Sequence, residues 1–317
     1  MGVTRRGLLG AVVAAGLTGC VLRPDPRLNT SQTPWPRPDY WASAAAAEIA
    51  LASVYITNSA NTAPPGAANW CGGAADLHLA HAACLGQADP WGGYAPAATP
   101  SGVTALPPPG GGGLNGLQAA IDAARQAAET GLRAAPAGYE ALLWASLVVC
   151  CAVDAAWCAD PSVLRPAPVT GTALPSRDGP GPAPDAAAIA LTHLDALAYA
   201  LTTAIGRADP AGTLPAELSA RLAGIGPLRN DLQAVIRAAG NTPTPPALTY
   251  ALPGELGSDN DIRTTWGIME ANLGQSYTRL AGAQGGDQAI KTATQAADQL
   301  TRATALGQSL PWWPGWL

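Results

Sequence analysis

A chain of 317 residues, 48 % of them hydrophobic, is long enough to bury two cores of ordinary size. Its 22 acidic and 17 basic residues give a net charge of −5, and no basic stripe is present to neutralise a run of phosphates, which argues against nucleic acid as a partner. Phe is absent, Lys291 is the sole lysine, and Ala, Gly and Pro abound, so Trp and Leu must supply the bulk of the core. Ala is the best helix former, and no segment sustains the alternation of a strand, so the chain reads as all-α with Pro/Gly linkers.

The first element is an address. Arg5-Arg6 precedes an apolar run from Leu8 to Leu17, too short for a permanent membrane span, and Leu17-Thr18-Gly19-Cys20 closes it. Small residues before a cysteine leave the chain accessible and provide a thiol for a diacylglycerol. The segment resembles the lipobox of bacterial lipoproteins, and its arginine pair resembles the twin-arginine export signal. The resemblance implies cleavage after residue 19 and acylation (palmitate among the chains) of Cys20. The mature protein would then be held on the extracytoplasmic face of the cell membrane by residues 21–38, a Pro-rich tether. Losing Arg5 and Arg6 takes Lys+Arg from 17 to 15 against 22 acids, a net charge of −7.

Four helical segments follow, over 39–60, 70–85, 114–132 and 139–158, and they form an expected N-terminal bundle spanning 39–160. A Pro/Gly run at 99–113 interrupts them, and the last of the four is the most apolar stretch of the chain. Asp154 and Glu140 within it favour a core helix over a membrane span. A second Pro/Gly stretch, 161–184, reads as a linker. Beyond it, helical periodicity covers 185–208, 214–239, 258–283 and 288–307. Gly224, Gly226 and Pro227 mark a kink or restart in the second of these, and Ser258 with Asp261 forms a capping box at the start of the third. Four amphipathic helices of comparable length make a second bundle over 185–317. The closing aromatic run 311–317 is expected to cap it.

That second half resembles the ferritin-like domain of unknown function found in exported actinobacterial proteins. The resemblance rests on the helix around 190–203, Ala238-Ala239-Gly240, Tyr250-Ala251-Leu252-Pro253, the Trp266/Tyr277 helix and Trp313-Pro314-Gly315-Trp316. It implies a four-helix fold. Its di-metal chemistry is not carried over, because Thr192-His193 lacks the acid of the family's Glu-His pair. Residues 227–231 likewise lack His, and no Glu-x-x-His occurs in the chain.

The candidate chemistry is sparse. His78 and His81 stand three apart on one helix face, as metal ligands would, with Asp76, Glu48 or Glu140 near enough to complete a shell for zinc, copper or iron. His193 lies beside an apolar face and reads as a hydrogen-bonded side chain. No Gly-x-Ser-x-Gly elbow is present, and nothing selects an acid pair for glycoside chemistry from Glu48, Asp76, Glu129, Glu140 and Asp154.

Export places Cys71, Cys84, Cys150, Cys151 and Cys158 in an oxidising setting, where thiols pair. Cys71 and Cys84 stand about 20 Å apart along one helix, beyond disulfide reach, so bonds are expected between helices. Cys71 would pair with Cys158, and Cys84 with Cys150 or Cys151. Two functional readings result. The first is a non-catalytic envelope lipoprotein that binds a protein partner or stabilises an assembly and needs no cofactor. The alternative is a metal-binding or redox protein that uses His78, His81 and a nearby carboxylate.

Overall fold

Ala-rich stretches punctuated by Pro and Gly fold as helices throughout the computed structural model, which describes residues 37–61, 67–87, 89–91, 114–171 and 174–316. Arg5, Arg6, Cys20 and the run 99–113 lie outside those residues. In chain order the helices are α1 (Asp39–Asn61), α2 (Ala67–Gly86), α3 (Leu114–Ala134), α4 (Tyr139–Ala159), α5 (Ala183–Ile205), α6 (Leu214–Ala223), α7 (Ile225–Ala238), α8 (Asp259–Gln284) and α9 (Gly286–Ala305). The protein is all-α; among the described residues the one β-type pairing is a parallel bridge between Val169 and Pro311.

Local signals act as the sequence anticipates. Ser258 Oγ accepts the Asp261 backbone N–H at 3.2 Å and donates to Asp261 Oδ2 at 2.7 Å, capping α8. The Gly224 region splits one helical stretch into α6 and α7. In the absence of Phe, Trp70, Trp144, Tyr55 and Tyr277 are the bulkiest fully buried side chains.

Pro38–Leu317 forms one compact unit, within which the helices fall into two groups. α1 packs on α2 and α3, and α3 on α4; α8 packs on α5 and α9, and α5 also on α6 and α7. α4 joins the two groups by packing on both α8 and α9. Helix α4, like α5, is long and apolar enough to cross a membrane, but 83 % of its most apolar window is buried inside the protein, so it serves as the central core helix. An α-helix that is apolar all round is buried all round.

Two glycines set how closely α4 is approached. A Cβ on Gly282 of α8 would lie 2.7 Å from Leu142 Cβ, and one on Gly131 of α3 would lie 2.3 Å from the Trp144 ring. The Gly138 N–H also donates to the Gly282 carbonyl at 2.8 Å, tying the α3–α4 turn to the end of α8. Nor does 161–184 act as a loose linker: Arg279 Nη2 donates to the Gly179 carbonyl at 3.0 Å, and Arg165 is buried.

The closing aromatic run is buried, but not as a cap on the second group alone. Val169 N–H donates to the Leu310 carbonyl at 2.9 Å, and Trp312 N–H to the Val169 carbonyl at 3.0 Å. The segment so held lies between α2 and α4: the Trp313 ring sits 4.6 Å from the His81 ring of α2, and Cys150 Sγ of α4 lies 3.8 Å from the Trp312 carbonyl oxygen. Farther along, Arg279 Nη1 donates to the Gly315 carbonyl at 3.0 Å.

That wedge also bears on the expected disulfides. Cys71, Cys84, Cys150, Cys151 and Cys158 are buried, and among the described residues no disulfide joins any two of them. Cys84 faces the Pro90 carbonyl at 3.6 Å while Cys150 faces the closing segment, so the expected bridge between them has main chain in its place. Near Cys71 and Cys158, the Trp70 and Trp157 rings stack with centroids 5.8 Å apart.

Candidate metal centre

Helical spacing brings three elements to one point. In α2 a three-residue step puts His78 and His81 on a single face, and both are fully buried. In α1, Glu48 falls in the buried series Trp41, Ala44, Leu51, Tyr55, so its carboxylate is carried inward by the same periodicity that buries its neighbours. In α4, Asp154 lies between Cys150 and Trp157 on the core side and is equally buried.

The hydrogen bonds run in one direction. His78 Nε2 meets Asp154 Oδ2 at 2.7 Å, and His81 Nε2 meets the Trp312 carbonyl oxygen at 2.7 Å. A carbonyl only accepts, so His81 donates through Nε2. The other ring nitrogens converge: His78 Nδ1 lies 2.5 Å, and His81 Nδ1 3.3 Å, from the same oxygen, Glu48 Oε2. Glu48, His78 and His81 each offer one ligand atom, and those atoms lie within 4.8 Å of one another. A metal bonded at about 2.0–2.2 Å to nitrogen and oxygen brings its ligand atoms to within about 4 Å of each other, which matches this spacing.

Charge is concentrated here. Burial by itself raises the Glu48 carboxyl, but His78 and His81 beside it outweigh that and hold it down to about 2. Burial lowers His78, yet the Glu48 charge and the bonds to Asp154 and Glu48 raise it to about 10. In the ion-free protein His78 is therefore an imidazolium between two carboxylates. Glu48 Oε1 remains buried with no hydrogen-bond partner. Such an orphaned acceptor in a closed core marks a place suited to a cation.

Around this cluster the rings are tightly laid. Tyr55 stacks on His78 at 5.7 Å with an interplanar angle of 7°, and Trp313 covers His81. The nearby thiols are no ready ligands. Burial, then the charges of Asp154 and Glu48, pushes Cys150 well above its ordinary value, and burial pushes Cys71 up to about 11. A protonated thiol is neither a nucleophile nor a good metal donor.

Of the carboxylates considered from sequence, Glu48 joins the histidine pair. Asp76 is exposed, and Glu140 is half-exposed in the first turn of α4. Asp154 is the partner that spacing did not identify. Its one signal was a charge inside the most apolar stretch of the chain, since a buried charge needs a partner. The Trp312 carbonyl had no signal at all, being main chain. His193 lies elsewhere, on α5, at a cavity of about 340 Å³ also lined by Met269 and Asn272, where burial lowers its pKa. No protein-family model, curated protein or solved structure matches the chain.

Proposed function

We propose that the protein binds one divalent transition-metal ion through Glu48 and the Nδ1 atoms of His78 and His81, and that it does so outside the cell membrane, tethered by Cys20. The observation that carries this reading is the convergence of both Nδ1 atoms on one Glu48 oxygen while both Nε2 atoms are already spent on fixed acceptors. Imidazole ligands are commonly oriented by a carboxylate or carbonyl on their far nitrogen, which fixes the tautomer and raises ligand basicity. Asp154 and the Trp312 carbonyl fill those two roles.

Charge supports the same reading. Two buried carboxylates and two neutral imidazoles bring a charge of −2, which a dication cancels. The nitrogen-rich, partly carboxylate donor set suits zinc, iron or copper over calcium or magnesium. Glu48, His78 and His81 are at most 1 % exposed, so the site is built to hold an ion and to staple α1 to α2. Three protein ligands leave a fourth position on a tetrahedral ion, so it is burial and not the ligand count that closes this site.

Metal analysis of residues 38–317, expressed without a histidine tag, tests the proposal. About one equivalent of zinc, iron or copper is expected per chain, and Glu48→Gln together with His81→Ala should abolish it. Metal-free protein after supplementation, or equal metal in wild type and variant, would overturn the reading.

A further inference from the structure

A second polar site lies in the other half of the molecule, between α6, α8 and α9. Its floor is the Arg221 guanidinium, buried and held from two sides. Nε donates to Glu270 Oε1 at 2.5 Å and Nη2 to Glu270 Oε2 at 3.0 Å, while Nη2 also donates to Gln299 Oε1 at 2.7 Å. Glu270, fully buried, additionally accepts the Trp266 indole N–H at 2.8 Å. The Gln299 amide is oriented by its own Nε2, which donates to the Gln295 carbonyl at 2.9 Å and so turns Oε1 toward the guanidinium.

The same Gln299 oxygen takes a second cation. Arg302 Nη1 donates to it at 3.2 Å, so two guanidinium groups share one neutral acceptor. Asp298 stands one turn before Arg302, yet gives it only a main-chain carbonyl, at 3.2 Å. The other rim acid, Glu217, is engaged by both Arg263 nitrogens at 2.8 and 3.0 Å. Among the described residues Arg302 has no ion pair; Glu270 pairs with Arg221, and the Asp298 carboxylate lines the same cavity without a salt bridge. Like charges gathered on a single amide favour an anion between them, and planar guanidinium forks match carboxylate and phosphate oxygens.

Above this floor opens a cavity of about 620 Å³, within the range that holds small organic ligands. Trp266, Leu228 and Leu306 line it beside Arg221 and Arg302. The indole N–H is spent on Glu270, which fixes the ring as an apolar wall. We propose that this cavity binds a small organic oxyanion, a carboxylate or phosphate group on a compact apolar body, with the oxyanion between Arg221 and Arg302 and the body against Trp266. Nothing in this proposal depends on the metal centre.

The test is titration of the purified protein with benzoate, phenyl phosphate, inorganic phosphate and benzyl alcohol, followed by calorimetry and by the Trp266 indole N–H resonance. Saturable binding of benzoate or phenyl phosphate is expected, with Trp266 shifting, and the tighter of the two identifies the preferred oxyanion. Inorganic phosphate should bind more weakly for want of an apolar body, and benzyl alcohol not at all. Arg302 is exposed, so Arg302→Gln leaves the fold intact, and it should weaken binding about 10-fold or more. No saturation at millimolar concentrations, equal affinity in Arg302→Gln, or benzyl alcohol binding as well as the anions would overturn the proposal.

Discussion

His81 donates its Nε2 hydrogen to the main-chain carbonyl of Trp312 at 2.7 Å, across 231 residues of sequence. One bond thus joins α2 to the closing segment and sets which nitrogen of His81 faces Glu48. The Trp313 ring then covers the imidazole at 4.6 Å. Side-chain replacement at 312 leaves the carbonyl in place, whereas truncation at 313 uncovers the ring. Trp312→Leu is therefore expected to keep metal affinity, while Trp313→Ala should release metal to a chelator at least several-fold faster. Trp313→Ala should also cost about 3–5 kcal/mol of stability. Equal release rates in the two variants would contradict the covering role.

Asp154 acts through His78. Asp154→Asn keeps an acceptor for Nε2 but removes the charge, and loss of such an orienting partner lowers metal affinity about 10- to 100-fold. A competition titration with a chromophoric chelator measures this. An unchanged affinity would show that His78 is not used through Nδ1.

Much of this was legible in the sequence, and the illegible parts share a cause. The His78/His81 spacing and the Ser258 cap follow from helical periodicity, which is local. Glu48 was within view as one of several nearby acids. Asp154 lies 76 residues from His78, and the Trp312 carbonyl has no side-chain signature, so only the folded chain brings them in. The segment between the two groups of helices is a related case. Pro/Gly-rich 161–184 has the composition of a linker, but Val169 and Gly179 bind other elements through main-chain atoms. The better clue was α4, apolar on every face and hence requiring neighbours on every face.

The thiols give a third expectation. Cys71, Cys84, Cys150, Cys151 and Cys158 are buried with no disulfide between them, and burial keeps Cys150 and Cys151 protonated. Native protein lacking residues 1–37 should resist alkylation, and the same protein unfolded without reductant should take up five alkyl groups. A disulfide-linked peptide from any of these positions would contradict the packing of α2 against the closing segment and α4.

Ion-free protein should show a defined pH window of stability. Glu48 is lowered in the folded state from 4.5 to about 2, so its contribution is full above 4.5 and is lost as pH falls toward 2. His78 is raised from 6.5 to about 10, so its contribution is full below 6.5 and is lost as pH rises toward 10. Both act fully between 4.5 and 6.5. Urea midpoints of chelator-treated protein should peak in that window and decline on the alkaline side, and His78→Gln should flatten the alkaline decline. A wild-type midpoint that stays constant from neutral to alkaline pH would remove His78 from the balance.

Anomalous diffraction from crystals of the zinc-loaded protein tests the metal centre most directly. The expected map holds one strong peak at about 2.0–2.2 Å from His78 Nδ1, His81 Nδ1 and a Glu48 oxygen. Both Nε2 atoms should remain on Asp154 and the Trp312 carbonyl. A peak on the Nε2 side of either ring, or no peak within reach of Glu48, would contradict the assignment.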